Sequence, residues 1–364
     1  MHLKSSRKDH SKKSATHWKA VWIILATAVV TAGAGAISTP GQETKPPAGP
    51  PLRTTVELVN VPLTATDKRG IRVIDLRQDE VKVFEDGVEQ KITHFERETQ
   101  TPLRVGLILD ASNSARRRLS YEKDAAQQFV DMILNSGTTK TRIFLETFNA
   151  SSSIVQDFTY DPDLLSDKIE GLNAGGGKAL YDAIYFACSQ KMMKTGTPED
   201  LRRVLIVISD GVDVQSQHTL DQTISVARMA ETMIYTVGTA AYGFSNPGDK
   251  DLEDLADQTG GIPLFPLRNT PGANLDSGYL AQNQFGGTSQ NKGAGADTGE
   301  YSLERVTNLT DALQAVGHSL EEQYMISYRP MRSALDGTYR TIKVETTRRG
   351  VTLRWKPGYF AKAE

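Results

Sequence analysis

The chain has 364 residues, 38% hydrophobic and 24% charged, with one cysteine, and shows neither the glycine period of collagen nor the cysteine density of a disulfide scaffold. Its 42 Lys and Arg stand against 44 Asp and Glu, a net charge of -2, which excludes a chain-wide basic field of the kind that gathers nucleic acid. The length suits two domains, or one large domain with additions.

Residues 1–20 form a basic leader in which Lys4, Arg7, Lys8, Lys12, Lys13 and Lys19 face only Asp9 as an acid. From 21 to 38 no charged side chain occurs, and Val21, Trp22, Ile23, Ile24 and Leu25 open an apolar stretch. Such an order holds the N-terminus in the cytoplasm and sends the remainder across, so an exported protein is expected, whether periplasmic, membrane-anchored or secreted. Ala32, Ala34 and Ala36 offer a signal-peptide cleavage site, while the length equally suits a membrane anchor formed by a transmembrane helix. A buried core helix is the competing reading, but the leader and the Pro-rich linker at 39–51 leave it nothing to pack against.

After the linker the sequence alternates in the manner of strands. Thr54 to Thr66, Val81 to Glu85 and Val88 to Phe95 read as strands, with Asp86-Gly87 as a hairpin turn. The C-terminal end repeats this material in Tyr324 to Tyr328, Tyr339 to Thr346 and Val351 to Trp355. About fifty residues of β structure bury little alone, so 52–100 and 324–361 are expected to associate into one small discontinuous β accessory domain.

Between them, 103–322 has another rhythm. Short apolar runs at Val105–Leu109, Arg142–Thr147, Val204–Ile208, Met233–Val237 and Ile262–Leu267 alternate with helical-period segments at Leu119–Leu134, Asp163–Glu170, Ala179–Met193, Leu220–Ala230 and Asp251–Gln258. That alternation predicts an α/β fold, a doubly wound and mostly parallel sheet with crossover helices on both faces. Cys188 lies on the apolar face of the 179–193 segment and reads as core. A last helix, roughly Leu303–Glu322, returns the chain to the β module. The segment 268–300, rich in Gly, Asn, Gln and Ser, shows neither period and reads as a mobile insertion.

Chemistry concentrates at two strand ends. The first run closes on Asp110-Ala111-Ser112-Asn113-Ser114, a set of oxygen donors suited to a hard divalent cation such as Mg²⁺ or Mn²⁺. Another run closes on Ser209-Asp210-Gly211. In an open α/β sheet the crevice for ligands lies at the carboxyl ends of the strands, so adjacent strands bring Asp110 and Asp210 to one edge. Taken separately, a helix-capping serine and an Asp-Gly turn explain each motif as well.

Asp-x-Ser-x-Ser, the Gly-rich loop before Ala179-Leu180-Tyr181-Asp182-Ala183-Ile184, and Ser-Asp-Gly after a fourth strand together resemble the von Willebrand factor A (VWFA) domain, over about 103–322. Phe84-Glu85-Asp86-Gly87 and Gly358-Tyr359-Phe360 resemble the flanks of bacterial VWFA-related proteins. The resemblance implies a Rossmann-like sheet of order 3-2-1-4-5-6 and a metal-ion-dependent adhesion site, in which Asp110, Ser112, Ser114 and Asp210 match the ligand positions and a partner's carboxylate fills the open coordination place. It departs at Gly175-Gly176-Gly177-Lys178, where Lys178 stands in place of the family's Thr. An ammonium has no lone pair to give a metal. Lys178 therefore either weakens the site or replaces the cation by bridging Asp110 and Asp210, unless its side chain swings out to water.

The expected function is a non-enzymatic, adhesion-type protein-binding module with a degenerate metal site, and its partner a protein presenting an acidic side chain to Lys178, Arg116 and Arg117. The alternative is a structural cell-envelope component with a vestigial metal site; a hydrolase ranks below both. Nucleotide binding is excluded because a P-loop ending at Gly177-Lys178 would need Gly at Leu172 and Ser or Thr at Ala179. Neither a nucleophile elbow nor a His-Glu-x-x-His zinc motif occurs.

Overall fold

The computed structural model describes residues 58–68, 71–97, 101–135, 140–196, 201–240, 246–266, 299–332 and 336–361. The leader, the 21–38 stretch, the linker and nearly all of 268–300 lie outside the described residues. Strands β1 (Val59–Asp67), β2 (Val81–Glu85), β3 (Val88–Gln90) and β4 (Ile92–Arg97) come first. The α/β region follows with β5 (Leu103–Asp110), α1 (Leu119–Asn135), β6 (Arg142–Phe148), β7 (Ser152–Thr159), α2 (Pro162–Glu170), α3 (Leu180–Phe186), β8 (Arg202–Ser209), α4 (Leu220–Met229), β9 (Thr232–Gly238), α5 (Pro247–Asp257) and β10 (Pro263–Leu264). Helix α6 (Gly299–Glu321) leads into β11 (Tyr324–Tyr328), β12 (Tyr339–Thr346), β13 (Val351–Trp355) and β14 (Gly358–Phe360).

A six-stranded sheet of order β10-β9-β8-β5-β6-β7 forms the centre. Its pairs are parallel except β6 with β7. This is the doubly wound arrangement, with β5 as first strand and neighbours wound outward on both sides. Every residue of β8 and β9 is buried, which is why they read as continuous apolar runs rather than alternating ones. On one face Leu107, Leu109 and Ile206 pack with Phe129 and Val130 of α1 and Leu313 and Val316 of α6. On the other, Ile108, Phe144 and Leu205 pack with Leu180 and Ile184 of α3 and Ile224 of α4. Each such side chain contributes about 1.5–3 kcal/mol on burial.

Strand β7 went unpredicted. It is a half-buried edge strand joined to β6 by the short turn at Asn149-Ala150-Ser151, so it needs no apolar run. The expected strand Val88–Phe95 divides at Lys91, because β3 pairs with β2 while β4 crosses to pair with β11. The expected helix from Ala179 is α-helical only to Phe186 and continues as a π turn over Ala187–Lys191, with Cys188 fully buried.

Two antiparallel sheets flank the centre, β13-β1-β11-β4 and β14-β12-β2-β3, each mixing strands from both ends of the chain. They share a core of Val61, Leu63, Val83, Ile326, Tyr328 and Val344. Inside it Arg340 Nη1 donates to Glu85 Oε1 at 3.2 Å, and Glu85 Oε2 accepts from Tyr328 Oη at 2.7 Å and Tyr359 Oη at 3.1 Å.

The expected transmembrane helix is corrected. Among the described residues no helix is long and apolar enough to cross a membrane, because each helix with a buried side turns a polar face to water; the 21–38 segment lies outside the described residues.

Candidate functional site

Strands β5 and β8 run side by side, with Leu109 opposite Ile208, so their next residues, Asp110 and Ser209, emerge together at the carboxyl edge. From this edge the chain leaves β5 for a helix on one face and enters β8 from a helix on the other, the place where an open α/β sheet parts into a crevice.

Backbone hydrogen bonds stitch three loops around the crevice. Asn113 N–H donates to Gly176 O at 3.1 Å, Gly175 N–H to Ala111 O at 2.8 Å, and both Val214 and Gln215 N–H to Lys178 O at 3.1 Å. The loop after β8 is held further by α3, whose Asp182 carboxylate accepts from the backbone N–H of Gln217 and His218 at 3.0 Å and lies 2.6 Å from His218 Nδ1. These donors outweigh burial and keep the Asp182 carboxyl below the usual carboxylate range. Gly211, at φ +78°, packs so closely on the start of α5 that a Cβ would lie 2.2 Å from Gly248 O. Asn246 Nδ2 donates to Asp210 O, pinning the same turn.

At the centre two carboxylates face two cations. Lys178 Nζ lies 2.7 Å from Asp210 Oδ1, 2.8 Å from Asp210 Oδ2 and 3.0 Å from Asp110 Oδ2. Arg118 Nη2 donates to Asp210 Oδ2 at 2.9 Å and to Asp110 Oδ2 at 3.2 Å, while its Nε donates to Glu122 Oε1 at 3.0 Å. Ser112 N–H donates to Asp110 Oδ1 at 2.9 Å, Ser209 Oγ to Asp110 Oδ2 at 3.3 Å, and Val212 N–H to Asp210 Oδ1 at 3.1 Å. Asp110 is wholly buried and Lys178 is 4% exposed.

Burial favours the neutral form of Asp210, but Arg118 and Lys178 outweigh it and hold that carboxyl below the usual carboxylate range. Glu122 goes the other way: burial pushes it up to about 8 despite Arg118, so near neutral pH it mostly keeps its proton. Asp110 and Asp210 are then balanced by Lys178 and Arg118, one charge against one.

The structure thus brings Asp110, Asp210 and Lys178 into contact and sets Ser112 and Ser114 beside them, Oγ to Oγ at 3.0 Å. Lys178 does not swing out to water; all three ammonium hydrogens have carboxylate oxygens within reach. Arg116 and Arg117 are elsewhere, exposed on the outer side of the same loop, with Arg116 Nη2 donating to Asn113 Oδ1 at 3.0 Å. The third arginine of the run, Arg118, was missed by sequence reasoning, as was Glu122. Their four-residue spacing at the start of α1, with Leu119 buried beside them, was the available signal.

A divalent cation does not fit this donor set as it stands. The position between the two carboxylates is taken by the ammonium, and three of the four carboxylate oxygens already accept two or more hydrogen bonds. A divalent ion about 4 Å from one fixed positive charge is repelled by roughly 8 kcal/mol at an effective dielectric of about 20, and here there are two such charges. Among the described residues no group of three or more His, Cys, Asp or Glu is placed to hold a metal ion.

Residues 105–270 match the model of the von Willebrand factor type A domain. An uncharacterized protein of Borreliella burgdorferi is 28% identical over 128 residues, which is 34% of this chain and 35% of that protein, so the match spans only about a third of the relative. Among solved structures, the vWF domain of the type V pili tip protein Mfa5 from Porphyromonas gingivalis is 16% identical, covering 55% of this chain and 100% of that one at a TM-score of 0.39. The conserved hypothetical protein BatB from Bacteroides thetaiotaomicron is 17% identical over 50% of this chain and 100% of its own, at 0.37. Proximal thread matrix protein 1 of the mussel byssus, with a zinc-occupied MIDAS motif, is 14% identical over 65% of this chain and 49% of its own, at 0.39.

Proposed function

We propose that this chain, a VWA-domain-containing protein whose domain match spans residues 105–270, is a non-enzymatic protein-binding module that docks an acidic partner segment on the edge formed by 110–118, 175–178 and 210–216. The observation that carries the reading is the division of labour among its cations. Lys178 and Arg118 are consumed by Asp110 and Asp210, so the charges left facing outward on this crest are Arg116 and Arg117. Around them Asn113, Ser114, Gly176 and Gln215 are exposed, and Val214 is 72% exposed. Polar donors beside an apolar contact and two guanidinium groups suit a carboxylate-bearing protein surface. The loops are fixed by their mutual hydrogen bonds, so they pay little ordering cost on binding. The basic leader and uncharged 21–38 stretch support an exported setting for this contact.

The test is capture of envelope proteins by the full chain beside an Arg116→Glu/Arg117→Glu variant, with Arg348→Glu, away on the β12–β13 turn, as control. Partners retained by the unaltered chain and by Arg348→Glu, lost by the crest variant and captured more slowly as salt rises, support the reading. Equal capture by all three sinks it.

A further inference from the structure

We infer that the crevice between Asp110 and Asp210 carries its own resident cation, the Lys178 ammonium, with the Arg118 guanidinium as a second cation on the same two carboxylates, and that the module works without a divalent metal. The inference does not rest on which partner the crest binds.

Three observations converge. First, coordination: Nζ has three hydrogens and meets three carboxylate oxygens at 2.7, 2.8 and 3.0 Å, at the ends of two neighbouring strands. The ammonium bridges the acids as a cation would. Second, burial: the Lys178 side chain is 5% exposed and Asp110 fully buried, and Lys178 O accepts from Val214 and Gln215, so the residue is held at both its backbone and its head. Third, charge: Lys178 and Arg118 already stand against Asp110 and Asp210, so a divalent ion at the crevice would lie beside two fixed positive charges. A cation could enter only by expelling the ammonium.

Removal of both fixed charges should therefore uncover a metal site. The experiment titrates EDTA-stripped full-length protein with Mn²⁺, following bound ion by its paramagnetic resonance and melting by calorimetry. For the unaltered protein, no saturable one-to-one site up to about 1 mM and no shift in Tm are expected. Lys178→Thr/Arg118→Gln should bind one Mn²⁺ and gain several degrees in Tm, and the further change Asp110→Asn should abolish both effects. One-to-one binding by the unaltered protein that is lost with Asp110→Asn overturns the inference. So does a folded double variant that binds none, since the cations would not then be occupying a cation position. Should the double variant fail to fold in EDTA, refolding on Mn²⁺ supports the inference, and the titration of the unaltered chain still decides against it. Because every readout is metal, a failed partner capture leaves this result standing, and the reverse.

Discussion

The guanidinium of Arg340 and the carboxylate of Glu85, 255 positions apart in sequence, meet at 3.2 Å, 0% and 4% exposed. The contact ties β12, near the C-terminus, to β2, near the start of the described chain. It is buried with Tyr328 Oη, Tyr359 Oη and Arg332 O as its other polar partners, where a charge deprived of its partner cannot be hydrated.

Truncating either partner therefore costs more than the pair itself contributes. Arg340→Met or Glu85→Leu alone should destabilise by about 3–5 kcal/mol, and the double change should recover most of the loss. Denaturant midpoints of the three variants check this. Additive losses would mean that each side chain acts through separate contacts.

Adjacent arginines should behave oppositely. Arg117 is exposed, and Arg117→Ala should alter stability by less than about 0.5 kcal/mol. Arg118→Ala removes hydrogen bonds to Asp110, Asp210 and Glu122 and should cost about 3–5 kcal/mol, as for a broken buried pair. Thermal melts of the two variants, side by side, make the comparison.

Acid should loosen the crevice through Asp210. Its folded carboxyl lies below the ordinary value because Arg118 and Lys178 outweigh burial. Stability from this group is present above the unfolded carboxylate range and is lost as pH falls through the lower folded value. Asp210→Asn should accordingly be less stable than the unaltered chain at pH 7, with the gap narrowing below about pH 4. Urea midpoints measured from pH 3 to pH 7 would expose a constant gap, which contradicts the assignment.

Glu146 predicts a slope of opposite sign. It lies wholly buried in β6, and burial, only partly offset by Ser152 and Lys191, pushes its carboxyl up to about 8. The folded state keeps a proton that the unfolded chain loses, so stability falls between about pH 4.5 and pH 8. Glu146→Gln should flatten part of that fall, Glu122 supplying another part, and should raise Tm more at pH 8 than at pH 5. An equal change at both pH values would rule out the titration.

At Gly211 the backbone conformation and the contact with Gly248 act together. Gly211→Ala should cost roughly 1–3 kcal/mol for the left-handed φ alone, with more from the contact of its Cβ with Gly248 O. The NMR signals of Asp210 and Lys178 should shift with it, because the turn carries Asp210. A variant that melts as the unaltered chain does would show that the α5 start yields freely.

Much of this was legible before any coordinates. The continuous apolar runs of β5, β8 and β9 and the amphipathic segments between them have only one way to be buried, between two layers of helices, and Asp110 and Asp210 follow as the residues left at the strand ends. Strand β7 was not legible, because an edge strand with one half-solvated face has no hydrophobic period to betray it. The division at Lys91 was not legible either; which of two sheets takes a strand is settled by pairing with β2 and β11, distant in sequence. At the site, three consecutive arginines read as one basic run, and only the turn leading into α1 points Arg118 inward while Arg116 and Arg117 stay in water.

By itself the sequence determined the doubly wound sheet, the two acids at its crest and the chemical oddity of a lysine among oxygen donors, since periodicity and side-chain chemistry are local properties. Whether that lysine faces water or the acids was decided only by the tertiary structure. Three loops far apart in the chain meet around Lys178, and with little of it left to water its charge is stabilised by the two carboxylates that the neighbouring strands place within reach.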